Sequence, residues 1–130
     1  MEILSCGCGS ATKINLIYSC SGAANTGLLA DQTARRLSKE GVGNMSCLAG
    51  IGANLSGFME SAKGARNIVI DGCPVACGKK AFDKLELFCQ HLIITSFGIE
   101  KGKTVITEEV IEEIKVSLKG AILNEAQRKS

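Results

Sequence analysis

The sequence predicts a doubly wound, Rossmann-like α/β domain with a mainly parallel four-stranded sheet. Three observations carry this. Apolar runs of strand length alternate with segments of helical periodicity, giving βαβαβαβα. Such alternation implies parallel strands joined by right-handed crossovers, with helices on both faces of the sheet. With 130 residues, 45% of them hydrophobic, the chain is long enough for one domain with a real core. The expected strand order is 2-1-3-4, as in small doubly wound folds.

The elements follow in order. "KINLIY" (Lys13 to Tyr18) is a compact apolar run and the first strand. A Ser/Gly/Ala/Asn stretch leads into "TGLLADQTARRLSKEG", where Ala30, Ala34 and Leu37 recur at helical spacing and Gly41 is a natural stop. "NMSCLAG" (Asn44 to Gly50) reads as the second strand. Leu55, Phe58, Met59 and Ala62 then form one face of a short helix that ends at Gly64. "NIVI" (Asn67 to Ile70) is the third strand. The next helix is expected to start at Pro74, since proline suits a first helical position, with Phe82, Leu85 and Cys89 along one face. "HLIITSFG" is the fourth strand. Thr107 caps a last helix, Glu108 and Glu109 stand in its first turn, and Val110, Ile114, Leu118, Ala121 and Ile122 form its core stripe. Residues 1–12 are expected to be a flexible, cysteine-containing arm and 125–130 a frayed tail.

Composition excludes several classes of function. The formal net charge of +2 is too small, and the Lys and Arg too scattered, for nucleic-acid binding. No apolar run approaches a transmembrane length. "MEILSCGCGS" lacks the basic start of a secretory signal, so a cytoplasmic location is expected. Seven cysteines then stand out, because clustered thiols in a reducing compartment suggest metal or redox chemistry.

On the expected plan Cys20, Cys47, Cys73 and Cys77 follow the carboxyl ends of the first three strands, where open α/β sheets collect their ligands. Neighbouring strands lie about 4.8 Å apart. Four thiolates around one zinc lie roughly 3.8 Å apart, so the scales match. Each cysteine is also expected to be followed closely by a helix N-terminus, whose free N–H groups favour negative charge. In the same plan Cys73 precedes Pro74 and Cys77 falls one turn on, so both face one point. Asp71 is placed either to cap the helix or to hydrogen-bond a metal's ligands. Cys89 reads as packing. Cys6 and Cys8 read as accessory ligands, metal traffickers or merely a tail.

Other chemistries fare less well. "CPVAC" spaces its thiols by three residues, where a dithiol redox motif has two, which lowers that reading without excluding it. "CSGAANT" has Asn25 and Thr26, and no arginine, where a cysteine phosphatase loop would close. "GIGANLSG" does not complete a dinucleotide-binding spacing. His91 begins the fourth strand and is expected at the opposite edge from the cysteines, in a structural role. Lys101 and Lys103 are expected to be solvated loop charges with an option of touching an anion.

"YSCSGAANTG", "MSCLAGIGA" and "DGCPVACGKK", in this order, resemble the DGC-domain family, to which zinc binding is ascribed from its cysteine pattern. The resemblance covers most of the chain, from the first strand to "FGIEKGK". It implies four chelating cysteines, carried onto Cys20, Cys47, Cys73 and Cys77, and no defined reaction. The first expectation is therefore a zinc-binding module whose partner is the metal ion, with an unidentified protein partner as an option. A filled four-thiolate site leaves no catalytic position, so the reading leans away from an enzyme. The alternatives are thiol-redox or sulfur-transfer chemistry, with Cys73 attacking and Cys77 or Cys20 resolving, and an iron–sulfur cluster on the same four cysteines.

Overall fold

A computed structural model describes residues 13–129, with side chains placed through Glu125. Four strands, β1 (Asn15–Ser19), β2 (Asn44–Met45), β3 (Arg66–Asp71) and β4 (Gln90–Ile93), form a sheet of order β2-β1-β3-β4. All three pairings are parallel, as the alternation of elements predicts. The helices are α1 (Asn25–Lys39), α2 (Leu48–Gly52), α3 (Ser56–Lys63), α4 (Cys77–Lys84) and α5 (Glu108–Lys129).

The period of two along each strand divides the core into two layers. Ile17, Ile68 and Ile70 point to the face covered by α1 and α5, where Leu29, Ala34, Leu37, Ile114 and Leu118 meet them. Leu16, Tyr18 and Val69 point to the other face, under Ile51, Ala62 and Phe82 of α2, α3 and α4. There the Tyr18 and Phe82 rings pack edge to face, 4.9 Å between centroids. Charge ties α1 to α5: Arg36 pairs with Glu108 and Glu112, while Lys115, its side chain only 7% exposed, pairs with Glu40 and Glu112. Hydrogen bonds from Lys115 hold the Glu40 and Glu112 carboxyls below their ordinary range, and the same bonds raise Lys115.

The element boundaries differ from expectation at β2, at both ends of α4, at the end of β4 and at the end of α5. β2 stops at Met45; the Ser46 N–H still bonds Ile17 O, but Cys47 already flanks α2 and its carbonyl accepts the Ile51 N–H. α4 begins at Cys77 and not at Pro74. Pro74 instead sits inside a turn closed by the Ala76 N–H on Cys73 O, and Ala76 is left-handed at φ 56°, which no right-handed helix can run through. The helix then closes at Lys84, so Cys89 lies in the loop before β4 and not on a helix face. β4 stops at Ile93, where the chain winds into a 3₁₀ turn over Ile94–Phe97. Thr107 caps α5 as expected, its hydroxyl accepting the Val110 N–H at 3.2 Å, and α5 continues through the expected tail as far as Lys129. Among the described residues no helix is long and apolar enough to cross a membrane.

Candidate functional site

With all strands parallel, their carboxyl ends share one edge, and the order reverses direction between β1 and β3. Cys20 is the first residue past β1. Its N–H bonds Ile70 O at 2.9 Å, which carries the β1–β3 ladder one step into this edge. Cys47 lies two residues past β2, Cys73 two past β3, and Cys77 is the first residue of α4. Cys20 and Cys73 are half-buried; Cys47 and Cys77 are exposed. Cys6 and Cys8 lie outside the described residues.

The three residues at the end of β3 have separate tasks. Asp71, 1% exposed, accepts the Gly78 N–H at 2.8 Å through one oxygen and the Lys79 N–H at 3.0 Å through the other. These are orphan donors of the first turn of α4, so the carboxylate caps that helix from within the sheet. The second oxygen also meets His91 Nε2 at 2.7 Å. Gly72 lies under α1: a Cβ there would fall 2.9 Å from the Thr26 backbone and hydroxyl. Cys73 follows, and its Sγ lies 3.5 Å from Lys101 Nζ.

Two of these contacts correct the sequence reading. His91 is not remote from the site. In the β3–β4 register His91 stands opposite Val69, two residues before Asp71 and on the same face, so its ring has one step along the strand to span. Nor is Lys101 simply a solvated charge. Its loop bends back over the carboxyl edge, with Gly98 and Gly102 at φ 86° and 82°, a region that favours glycine. Asn25, the first residue of α1, holds that loop. Its Nδ2 donates to Glu100 O at 3.1 Å and Thr104 O at 2.8 Å, and its Oδ1 accepts the Gly102 N–H at 2.7 Å. Asn25 drew notice in the sequence only as a residue where a phosphatase arginine would stand. The glycines bracketing Lys101 were the available sign of a structured loop.

Cys89 meets different surroundings. It packs against the apolar layer of Tyr18, Val69 and Phe82, and burial pushes its thiol pKa up. It also borders a cleft of about 440 Å³ at the amino edge of the sheet, beside Lys13, Arg66, Asn67 and Leu87, away from Cys20, Cys47, Cys73 and Cys77.

A closed zinc centre needs sulfurs roughly 3.8 Å apart around one point. Among the described residues no three His, Cys, Asp or Glu side chains are grouped to hold a metal ion. Cys20, Cys47, Cys73 and Cys77 thus share an edge without forming a four-thiolate centre as they stand.

Residues 16–118 match the DGC domain family. The Anaerobic and virulence modulator AnvM of Pseudomonas aeruginosa is 35% identical over 88 residues, which cover 66% of this chain and 67% of that protein. No solved structure matches the chain.

Proposed function

The chain belongs to the DGC domain family, and we propose that the carboxyl edge of its sheet is a thiol site in which Cys73 is the reacting sulfur. The observation that carries this reading is the 3.5 Å contact between Cys73 Sγ and Lys101 Nζ. A thiolate is the nucleophilic form of cysteine, and an ammonium beside it offsets its charge. Cys73 is half-buried, so the sulfur is sheltered yet open to attack a partner.

The chemistry is thiol–disulfide exchange. The Cys73 thiolate attacks one sulfur of an incoming disulfide, that bond breaks, and the other sulfur leaves as a thiolate. The resulting mixed disulfide is resolved when Cys77 or Cys20 displaces the bound sulfur as a second thiolate. The protein then carries an internal disulfide and the partner is reduced. The relative's name, an anaerobic and virulence modulator, accords with a thiol that responds to redox conditions.

The test is the alkylation rate of each cysteine, read by peptide mass spectrometry. Lys101→Met should slow Cys73 by about fivefold, the scale of one partly exposed charge contact. An unchanged rate would remove the support for this reading.

A second reading is zinc held by Cys20, Cys47, Cys73 and Cys77. It is favoured by their common edge and by the scale of strand spacing against Zn–S geometry. It requires the four side chains to close around the ion. Metal content and an absorption spectrum of protein purified without oxygen test it. About one zinc per chain supports it, and a brown chromophore points instead to an iron–sulfur cluster on the same residues.

A further inference from the structure

We infer that Asn25 is a positioning residue for Cys73, acting through the loop that carries Lys101. This rests on the reading of Cys73 as the reacting sulfur. Lysine has a flexible stem and loses much rotamer freedom when its ammonium is fixed at one place. A contact from an exposed loop therefore needs an anchored backbone. Asn25 supplies that anchor on both sides of Lys101: it accepts from the Gly102 N–H at 2.7 Å and donates to Glu100 O at 3.1 Å. Its bond to Thr104 O at 2.8 Å closes the loop further on, where the Thr104 hydroxyl accepts the Glu100 N–H at 2.8 Å.

Only a side-chain amide offers two donors and an acceptor in this compass. Aspartate can receive the Gly102 N–H but cannot donate to the two carbonyls. Serine has a single O–H to donate. Asn25 also opens α1 five residues after Cys20, and Gly72 lies under the next residue, Thr26. The first two residues of α1 thus meet two parts of this edge: Asn25 bonds the loop of Lys101, and Thr26 packs over the end of β3. The contact that Asn25 sets up spans 28 residues of sequence, while the anchor itself spans 75 to 79.

The experiment is a double-mutant cycle on the full chain. Iodoacetamide alkylation of Cys73 is measured at neutral pH relative to Cys47 in the same sample, for Asn25→Ala, Lys101→Met and both together. If Asn25 works through Lys101, Asn25→Ala slows Cys73 by about the same fivefold factor as Lys101→Met, and the double variant is no slower than either. Slowing by Lys101→Met with no effect of Asn25→Ala, or with additive losses, overturns the role of Asn25 and leaves the thiol reading intact. No slowing by Lys101→Met overturns the thiol reading, and this inference with it.

Asn25→Asp covers the case in which Asn25→Ala does not fold. It keeps the acceptor for Gly102 and puts a negative charge at a helix N-terminus, where charge of that sign is favoured. It should slow Cys73 relative to Cys47 in the same sample, and add nothing in the Lys101→Met background. Hydrogen exchange at the Gly102 amide should quicken in Asn25→Ala only. A slowing that merely tracks lost thermal stability, with Cys47 changing in proportion, would mean that Asn25 is structural and no more.

Discussion

Cys73 and Cys89 are the same residue type in opposite regions of one sheet. Cys73 lies past the carboxyl end of β3, half-buried, with an ammonium 3.5 Å from its sulfur. Cys89 lies before the amino end of β4, also half-buried, and packs on a layer built from Tyr18, Val69 and Phe82. Apolar burial raises the Cys89 pKa, which keeps it a thiol and a small hydrophobe. Exposure alone does not separate the two. What separates them is direct contact: Lys101 touches the Cys73 sulfur, whereas at Cys89 burial outweighs the attraction of Lys79. A parallel sheet brings loops and helix starts together at its carboxyl edge, whereas Cys89 rests on the apolar side of α4.

The largest effect is expected from emptying the layer beneath Cys89. Phe82 is fully buried, and Phe82→Ala should cost about 4 kcal/mol in denaturant unfolding. It should also speed Cys89 alkylation and leave Cys73 unchanged; a response of Cys73 as large as that of Cys89 would break the contrast. Asp71 comes next, because it borders both regions. Asp71→Ala should cost about 3 kcal/mol, since it leaves two N–H groups of α4 and the His91 ring without their buried partner. Asp71→Asn should cost less, having one acceptor oxygen left. Gly72→Ala should cost about 2 kcal/mol, because the added methyl must push the Thr26 backbone aside. Unlike Phe82→Ala, it should disturb Cys73 first.

The smallest effect lies away from both thiols. Glu40 and Glu112 have carboxyl pKa values lowered from 4.5 by hydrogen bonds from Lys115. Their share of stability is present above pH 4.5 and is lost as pH falls through the lower, folded value. Lys115 is raised above 10.5, so its share is present below that pH and is lost as pH rises through the folded value. Lys115→Met should therefore flatten the acid limb of the stability profile without altering either cysteine's alkylation rate.

Much of the fold was legible because period and punctuation are local. The alternation of apolar runs with helical faces gave four parallel strands, and Thr107 with Glu108 and Glu109 marked the start of α5. Boundaries failed where one residue did two jobs. Pro74 suits a helix start and a turn equally well, and the left-handed Ala76 decided for the turn. "NMSCLAG" has the apolar density of a strand, yet its pairing with β1 ends with Asn44, Met45 and the Ser46 N–H. At the site, the edge shared by the four cysteines followed from topology alone. Contacts depending on register and loop path did not: His91 reaches Asp71 because the register sets it opposite Val69, and Lys101 reaches Cys73 because Asn25 holds a loop far along the chain. No spacing rule covers such pairs.

The most direct test of Cys73 as the reacting sulfur is a pulse of isotope-coded alkylating reagent on the native protein, resolved cysteine by cysteine. Cys73 should label ahead of Cys89 and the exposed Cys47 and Cys77, and lose that lead in Lys101→Met. Equal protection of Cys20, Cys47, Cys73 and Cys77, released together by a chelator, would contradict it and assign the edge to a metal.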